Sequence, residues 1–255
     1  MIELKTDASM DAMRAPGRVV GRALAAVRKA ARPGVTPRDL DAVARALLDE
    51  AGATSPFLGY RPSFAPVPFP AVLCVSVNNA IVHGIPTDLP LRDGDLVSAD
   101  FGALLHGWAG DAAVSFTVGT PRPADLALVE TAERALAAGI EAAVVGNRIG
   151  DVAHAIGTVC RRAGYGIPHG FGGHGIGRRM HEDPSVPNEG RPGRGVRLRH
   201  GMVLAIEPMV IAGGGDDYLT AADGWTLCTT DGSRAAHAEH TVAITDDGPR
   251  VLTLP

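Results

Sequence analysis

Between His169 and Pro184 the chain reads His-Gly-Phe-Gly-Gly-His-Gly-Ile-Gly-Arg-Arg-Met-His-Glu-Asp-Pro, and no helix can be laid through it. Five glycines fall in these sixteen residues. Each is entropically costly in a helix and brings no side chain to pack. What glycine allows is a backbone that passes close to another object, with an imidazole aimed at it. Three histidines (His169, His174 and His181) share the stretch with two carboxylates, and His174 lies among Gly172, Gly173, Gly175 and Gly177. A flexible surface loop carries glycines too. Three histidines in so short a span point instead to a metal or catalytic site, which carboxylates elsewhere must complete.

The remaining composition bounds the setting. The 255 residues are 45 % hydrophobic and 20 % charged, ordinary for one large domain or two small ones. Twenty-eight acids nearly balance 24 bases, without long runs of one sign, so no nucleic-acid surface is expected. Cys74, Cys160 and Cys228 form no CxxC pair and no disulfide framework, which fits a reducing compartment. The first residues lack the apolar core of a signal peptide, and runs such as Ala71 to Val77 are too short to span a bilayer. A soluble, cytoplasmic protein is expected.

Residues 10–31 space Val20, Leu24 and Val27 as an amphipathic helix, with Pro16-Gly17 setting its start or a kink. Thr36-Pro-Arg-Asp39 reads as a helix start with a capping box, and Gly52 as its end. Residues 55–70 hold five prolines with Phe57, Tyr60, Phe64 and Phe69, and read as an aromatic loop tucked over core. Strands follow: Val72–Val77, Ala80 onward, Asp95–Phe101, and Leu104–Val118 with a turn at His106-Gly107. Two helices are expected from Asp125 to Val144 and from Asp151 to Gly164. Strands return at Met202–Ile211, Trp225–Thr229 and His237–Ile244. The element order therefore repeats, two helices and then antiparallel strands, with a seam near residue 120. This is an α+β chain whose two halves share one sheet region.

Four carboxylates interrupt these strands where apolar residues belong. Asp100 follows Leu96, Val97 and Ala99; Asp111 precedes Ala112, Ala113 and Val114; Glu207 sits between Ile206 and Pro208; Glu239 lies within His237–Ile244. An isolated buried carboxylate costs several kcal/mol or titrates to neutral. Any one of them could pair with a cation or face solvent, but no Lys or Arg adjoins the four in sequence. Asp100 and Asp111 lie on consecutive strands joined by a turn, so they can come face to face. Four carboxylates with the His174 imidazole suit hard-to-borderline divalent ions, and four negative charges offset two of them. A pair of ions about 3.5–4 Å apart holds and acidifies a water.

Here the sequence resembles the type I methionine aminopeptidases of the pita-bread fold, over nearly its whole length. The motifs are Asn78-Asn-Ala-Ile-Val-His83-Gly-Ile-Pro, Asp100 and Asp111 eleven apart, Gly173-His174-Gly-Ile-Gly177, His181-Glu-Asp-Pro184, Ile206-Glu207-Pro208, Gly224-Trp225 and Glu239-His240-Thr241. The resemblance implies a single catalytic domain over 1–255, with two pseudo-symmetric αα-β halves around a curved antiparallel sheet. It implies two divalent ions (Co, Mn, Fe or Zn). Asp100 would hold one of them, His174 and Glu207 the other, while Asp111 and Glu239 bridge. Removal of N-terminal methionine would proceed by attack of a water held between the ions. Glu207 would shuttle its proton, His83 would touch the substrate amine or leaving group, and His181 would hydrogen-bond the scissile carbonyl. Phe57, Tyr60, Phe69, Cys74, Met180 and Trp225, with His83 and His181, would contact the substrate. The implied partner is a peptide or nascent-chain N-terminus, with a transient ribosome contact, no membrane, no sequence-specific nucleic acid and a monomeric state. His169 is left as supporting structure, His154 and His200 as surface, and His106 as a turn residue.

Three departures stand out. Phe57 stands where bacterial relatives often have Cys, the Arg61–Pro68 loop is longer than usual, and His237-Ala238 replaces Gln-Tyr. The longer loop is expected to back away and make room for the Phe57 ring. Other members of the fold compete as readings. Aminopeptidase P and prolidase types carry a large N-terminal domain, for which a first helix starting near residue 10 leaves no room. Type II methionine enzymes carry a helical insert, which the 26-position separation of His181 and Glu207 does not accommodate. A related aminopeptidase with altered N-terminal specificity would keep the metal residues and change the rim. A metal-free, non-enzymatic peptide-binding relative would have lost ligand residues.

Overall fold

Thr6 opens the first helix: its hydroxyl accepts the Ser9 N–H at 3.2 Å, and α1 (Asp7–Ala30) runs through Pro16 rather than starting at it. The structure, a computed structural model, describes residues 2–63 and 65–255. Phe64 of the aromatic loop lies outside the described residues. α2 (Pro37–Ala51) has the expected capping box. The Asp39 N–H donates to the Thr36 hydroxyl at 3.1 Å, the Thr36 N–H donates to the Asp39 carboxylate at 2.8 Å, and Gly52 ends the helix at φ 62°. After the loop come β1 (Leu73–Val77), β2 (Ala80–Val82), β3 (Leu96–Leu105) and β4 (Trp108–Thr117). β3 and β4 form one long hairpin. His106 and Gly107 close it with φ of 53° and 75°, the positive values a two-residue hairpin turn demands.

The second half repeats the order. α3 (Pro123–Ala142) and α4 (Ile149–Arg162) precede β5 (Gly172–Gly175) and β6 (Glu182–Pro187), two strands inside the glycine-rich stretch that the sequence pattern did not disclose. The single strand expected over Met202–Ile211 is two. β7 (Val203–Ile206) ends at Glu207-Pro208, and β8 (Met209–Ile211) leaves in another sheet, because Pro208 has no N–H for the ladder. β9 (Tyr218–Thr220) and β10 (Leu227–Thr229) pair with each other. β11 (Ala235–His237) pairs with β8, and β12 (Glu239–Thr245) with β13 (Gly248–Val251). The expected strand from His237 is thus also broken, at Ala238, whose N–H donates to the Pro208 carbonyl at 3.1 Å.

All pairings in the main sheet are antiparallel, in the order β1-β3-β4-β12-β7-β5-β6 with β13 beside β12. Its two halves meet where β4 pairs with β12. Alternation along β3 sends Val97, Ala99, Phe101 and Ala103 into a core with Leu24 and Val27 of α1 and Leu40 of α2. A second core joins Leu136 of α3 and Ile156 of α4 to Leu204, Ile206 and Val242. The helices thereby cover one face of the sheet. Asp100 and Gly102, at the intervening positions, face the other way. This is the α+β arrangement of paired halves that the sequence pattern indicates.

Candidate metal centre and active site

The uncovered face carries the carboxylates in adjoining rows. Cys74, Asp100, Ala113 and Glu239 are register partners in turn across β1, β3, β4 and β12. Asp111 pairs with Gly102, two positions further along β3, so Asp100 and Asp111 are diagonal neighbours on one face. Thr241 fixes the seam between the halves: its hydroxyl donates to the Asp111 carbonyl at 2.8 Å and accepts the Asp111 N–H at 2.9 Å. Glu207 sits at the break after β7, and its carbonyl accepts from the Asn188 amide at 2.9 Å.

β5 brings His174 alongside. Gly173 and Gly175 let this strand lie close between its neighbours: a Cβ on Gly173 would run into the Ala205 carbonyl, and one on Gly175 into the Asp183 carbonyl. The close object implied by the glycines is therefore the adjacent sheet. His174 Nδ1–H donates to the Gly175 carbonyl at 2.9 Å, which directs the other ring nitrogen at the carboxylates. Nε2 stands 3.8 Å from Asp111 Oδ2 and 3.7 Å from Glu207 Oε1.

Among the described residues no Lys or Arg pairs with Asp100, Asp111, Glu207 or Glu239. Burial lifts Asp100 to about 7, and burial with repulsion among the carboxylates holds Asp111, Glu207 and Glu239 well above their ordinary range. Burial, then His181, pushes His174 down to about 4. Asp100 Oδ1, Asp111 Oδ1 and Glu239 Oε1 are buried without a hydrogen-bond partner. Ligand atoms of Asp111, His174 and Glu239 lie within 4.8 Å of one another, as do those of Glu207, His237 and Glu239. Crowded, orphaned oxygens with a neutral imidazole are a donor set that a divalent cation satisfies and that protein hydrogen bonds here do not.

Above this floor lies a cavity of about 410 Å³ walled by Phe57, Tyr60, Phe69, Cys74, His83, Phe171, His181 and Trp225. The aromatic loop thus forms a cavity wall as well as covering core. Phe69 meets Phe57 edge-on at 6.4 Å and Trp225 at 5.1 Å. His181 stacks on Tyr60 at 5.3 Å and lies 4.4 Å from the His174 ring. Across the cavity His83 sits edge-on to Trp225 at 6.2 Å and to Phe171 at 5.9 Å, with a positive φ of 59° and no partner for its buried Nδ1. Burial, then the charge of His181, pushes His83 down to about 4, and burial lowers His181. Cys74 is buried, and its thiol is pushed up by burial and by Asp100.

Met180, expected to contact substrate, does not line the cavity; it packs beneath the wall with Phe57, Leu104 and Trp108. Gly102 is one source of room for the Phe57 ring. A Cβ on Gly102 would meet Met180 Cε, come 2.9 Å from Pro56 Cγ and 3.2 Å from Phe57 Cε1, so the missing side chain at 102 admits both residues. The Arg61–Pro68 loop is tethered at the rim, where the Trp225 indole N–H donates to the Val67 carbonyl at 2.8 Å.

Three residues escaped sequence reading. Phe171 enters the wall, although its own stretch was singled out. Lys5 is buried and pairs with Glu182 at 2.7 Å. Burial pushes the Glu182 carboxyl up, but Lys5 and backbone N–H groups outweigh it and hold Glu182 below its usual range. His237 was noted only as a departure, and its side chain is 2 % exposed beside Glu207 and Glu239. Of the remaining histidines, His200 is half-buried, 3.0 Å from Asp7 and 3.3 Å from Asp246. His169 is exposed, 3.8 Å from Asp216. No helix among the described residues is long and apolar enough to cross a membrane.

Comparison with known proteins places this geometry. Residues 11–246 match metallopeptidase family M24. Methionine aminopeptidase 1 of Mycobacterium tuberculosis is 52 % identical over 261 residues, covering 100 % of this chain and 96 % of that protein. The crystal structure of methionine aminopeptidase from Thermotoga maritima superposes with a TM-score of 0.95 at 40 % identity, covering all of both chains. The Rickettsia prowazekii structure of the same name superposes equally well at 34 % identity, again covering all of both chains.

Proposed function

This chain belongs to the methionine aminopeptidases of metallopeptidase family M24, and we propose that it removes the N-terminal methionine from peptides and nascent chains with a small second residue. The observation that carries this reading is the set of four cation-free carboxylates, Asp111 and Glu239 buried and Asp100 and Glu207 half-buried, beneath a largely apolar cavity. The fold is accordingly the pita-bread fold, two αα-β halves around a curled antiparallel sheet.

Asp100, Asp111, His174, Glu207 and Glu239 would hold two divalent ions. Oxygen-rich sets of this kind accept Mn, Fe, Co or Zn according to supply. Ions bound there supply Lewis acidity, which polarises the scissile carbonyl and eases ionisation of a water. The chain's own groups do the rest. Phe57, Tyr60, Phe69, Cys74 and Trp225 exclude water and receive the unbranched, polarisable thioether. The neutral His83 imidazole meets the amine or amide nitrogen. His181, held by its stack on Tyr60, donates to the carbonyl oxygen as negative charge develops there. Glu207, beside His174 in the same floor, accepts a proton from the attacking water and returns it to the departing amine.

A peptide panel tests the assignment. Met-Ala-Ser should be cleaved to free methionine by protein supplied with Mn(II) or Co(II), with bulky second residues disfavoured. Preference for a first residue other than methionine, or no hydrolysis with any of the four metals, would overturn it.

A further inference from the structure

His237 lies beside two of the carboxylates and does not line the cavity. It belongs to β11, where its backbone is held by Ser115, whose hydroxyl accepts the His237 N–H at 2.9 Å and donates to its carbonyl at 2.8 Å. Its Nε2 lies 3.6 Å from Glu207 Oε2 and 3.9 Å from Glu239 Oε2, is buried, and has no hydrogen-bond partner. His174 stands toward the other Glu207 oxygen, Oε1, at 3.7 Å. Glu207 is thus flanked by two imidazoles, one for each carboxylate oxygen. Only His174 lines the cavity; His237 does not. A neutral imidazole carries one N–H, and the acceptors nearest the orphaned Nε2 are these two carboxylates. At 3.6 Å the contact is longer than a hydrogen bond. The terminal torsion of a glutamate is broad, so a modest rotation of the carboxylate closes it.

We propose that His237 is a positioning residue for the metal centre: its Nε2–H donates to Glu207 Oε2, so that Oε1 is left facing the same point as His174 Nε2. This inference rests on the metallopeptidase reading above. It assigns a role to a side chain outside the five metal-holding residues, at a position where sequence alone showed only a departure. Outer partners of this kind orient the ligand they touch and act on the metal through it. The Ser115 clamp and the β8–β11 pairing fix the backbone from which the ring reaches.

Two variants separate donor from filler. His237→Gln retains a side-chain N–H donor, and His237→Leu fills similar space without one. Free Mn(II), counted by its EPR signal during titration of chelated protein, gives the affinity without reference to activity. His237→Leu is expected to bind Mn(II) about 10–100-fold more weakly than wild type, and His237→Gln within about tenfold of it. Equal affinity in wild type and His237→Leu would overturn the assignment, as would equal losses in both variants. A measurement on wild type alone covers the case in which the variants do not fold. Electron spin echo spectroscopy of bound Mn(II) should show nitrogen from one imidazole; two coordinated imidazoles would make His237 a ligand and overturn its role as positioner. Wild type that binds no Mn(II), Fe(II), Co(II) or Zn(II) would overturn the metallopeptidase reading and this inference together, whereas tight wild-type binding with an unaffected His237→Leu would overturn this inference alone.

Discussion

The floor and the rim of the cavity are built on opposite principles. The floor is charged and rests on paired strands: Asp100 and Glu239 lie in register through Ala113 across β3, β4 and β12, Asp111 stands diagonal to Asp100, and Thr241 ties the seam under Asp111. The rim is apolar and is carried largely by loops, with Phe57, Tyr60 and Phe69 on one segment and Trp225 on another. Backbone ladders fix the positions from which most of the floor's carboxylates reach, as a metal site requires. Side-chain packing and a few loop hydrogen bonds, among them Phe69 N–H to the Tyr60 carbonyl at 2.8 Å, hold the rim, which a methionine side chain tolerates. A substitution in the floor should therefore act through charge and be felt whole. One in the rim should act through volume and be partly absorbed.

The floor predicts the largest effect. Asp111→Asn removes the charge shared between both ions and should lower activity by more than about 10³-fold, beyond what one oxyanion donor carries. Circular dichroism should stay native while metal content falls. Full activity at normal metal content would remove Asp111 from the centre. His181→Ala comes next, because His181 belongs to the rim by packing and to the floor by chemistry. It should lower kcat by about 10²–10³-fold with metal retained. A change confined to KM would make it a binding residue only.

The floor's charge should also appear in stability. In chelated protein the carboxylates have folded pKa values raised by burial and mutual repulsion, Asp100 to about 7. A raised carboxylate is protonated in the fold when the unfolded chain has already ionised. Its contribution is therefore complete below the unfolded carboxylate range, about pH 4, and is lost as pH rises through the folded values. The Tm of chelated protein should drop between about pH 5 and about pH 8, and saturating Mn(II) should abolish the drop. A Tm that rises with pH after chelation would contradict the burial of these groups in solution.

The rim predicts smaller effects. Gly102→Ala forces a methyl group into space used by Met180, Pro56 and Phe57, and should cost about 1–3 kcal/mol in urea unfolding. A neutral result would mean that the wall yields freely. Phe57→Cys should change kcat/KM for Met-Ala-Ser by less than about tenfold, because Gly102 already accommodates the ring. A much larger rise would show that Phe57 narrows the pocket, and the contrast between a strict floor and a tolerant rim would fail.

Local rules settled a good deal of this molecule without coordinates. The capping box at Thr36 and Asp39 depends on four consecutive residues, and the turn at His106-Gly107 on two. Each acts within its own segment, so the elements could be read directly. The acids in otherwise apolar strands were legible for a related reason: a carboxylate among Ile, Val and Ala has no local excuse. The motif order around them then indicated the family. Strand continuity was less secure. The run from Met202 to Ile211 looks unbroken by periodicity, yet Pro208 sends its second part to another sheet. The glycine stretch gave no sign of β5 and β6, because glycine has no pattern of its own and the strands exist through partners that lie seven or more residues away.

Chain order thus determined which side chains carry charge and which segments bend, through contacts reaching only a few residues. Tertiary structure decided which of them meet. It set Met180 behind the wall rather than in it, and drew space for Phe57 from Gly102, far from Phe57 in sequence. It brought Lys5 to Glu182 across 177 residues of sequence, and placed His237 beside Glu207 and Glu239. The reason is that burial and proximity are properties of the packed sheet. A residue's chemistry is written at its own position, but its partners are chosen by the register of strands and helices distant in sequence.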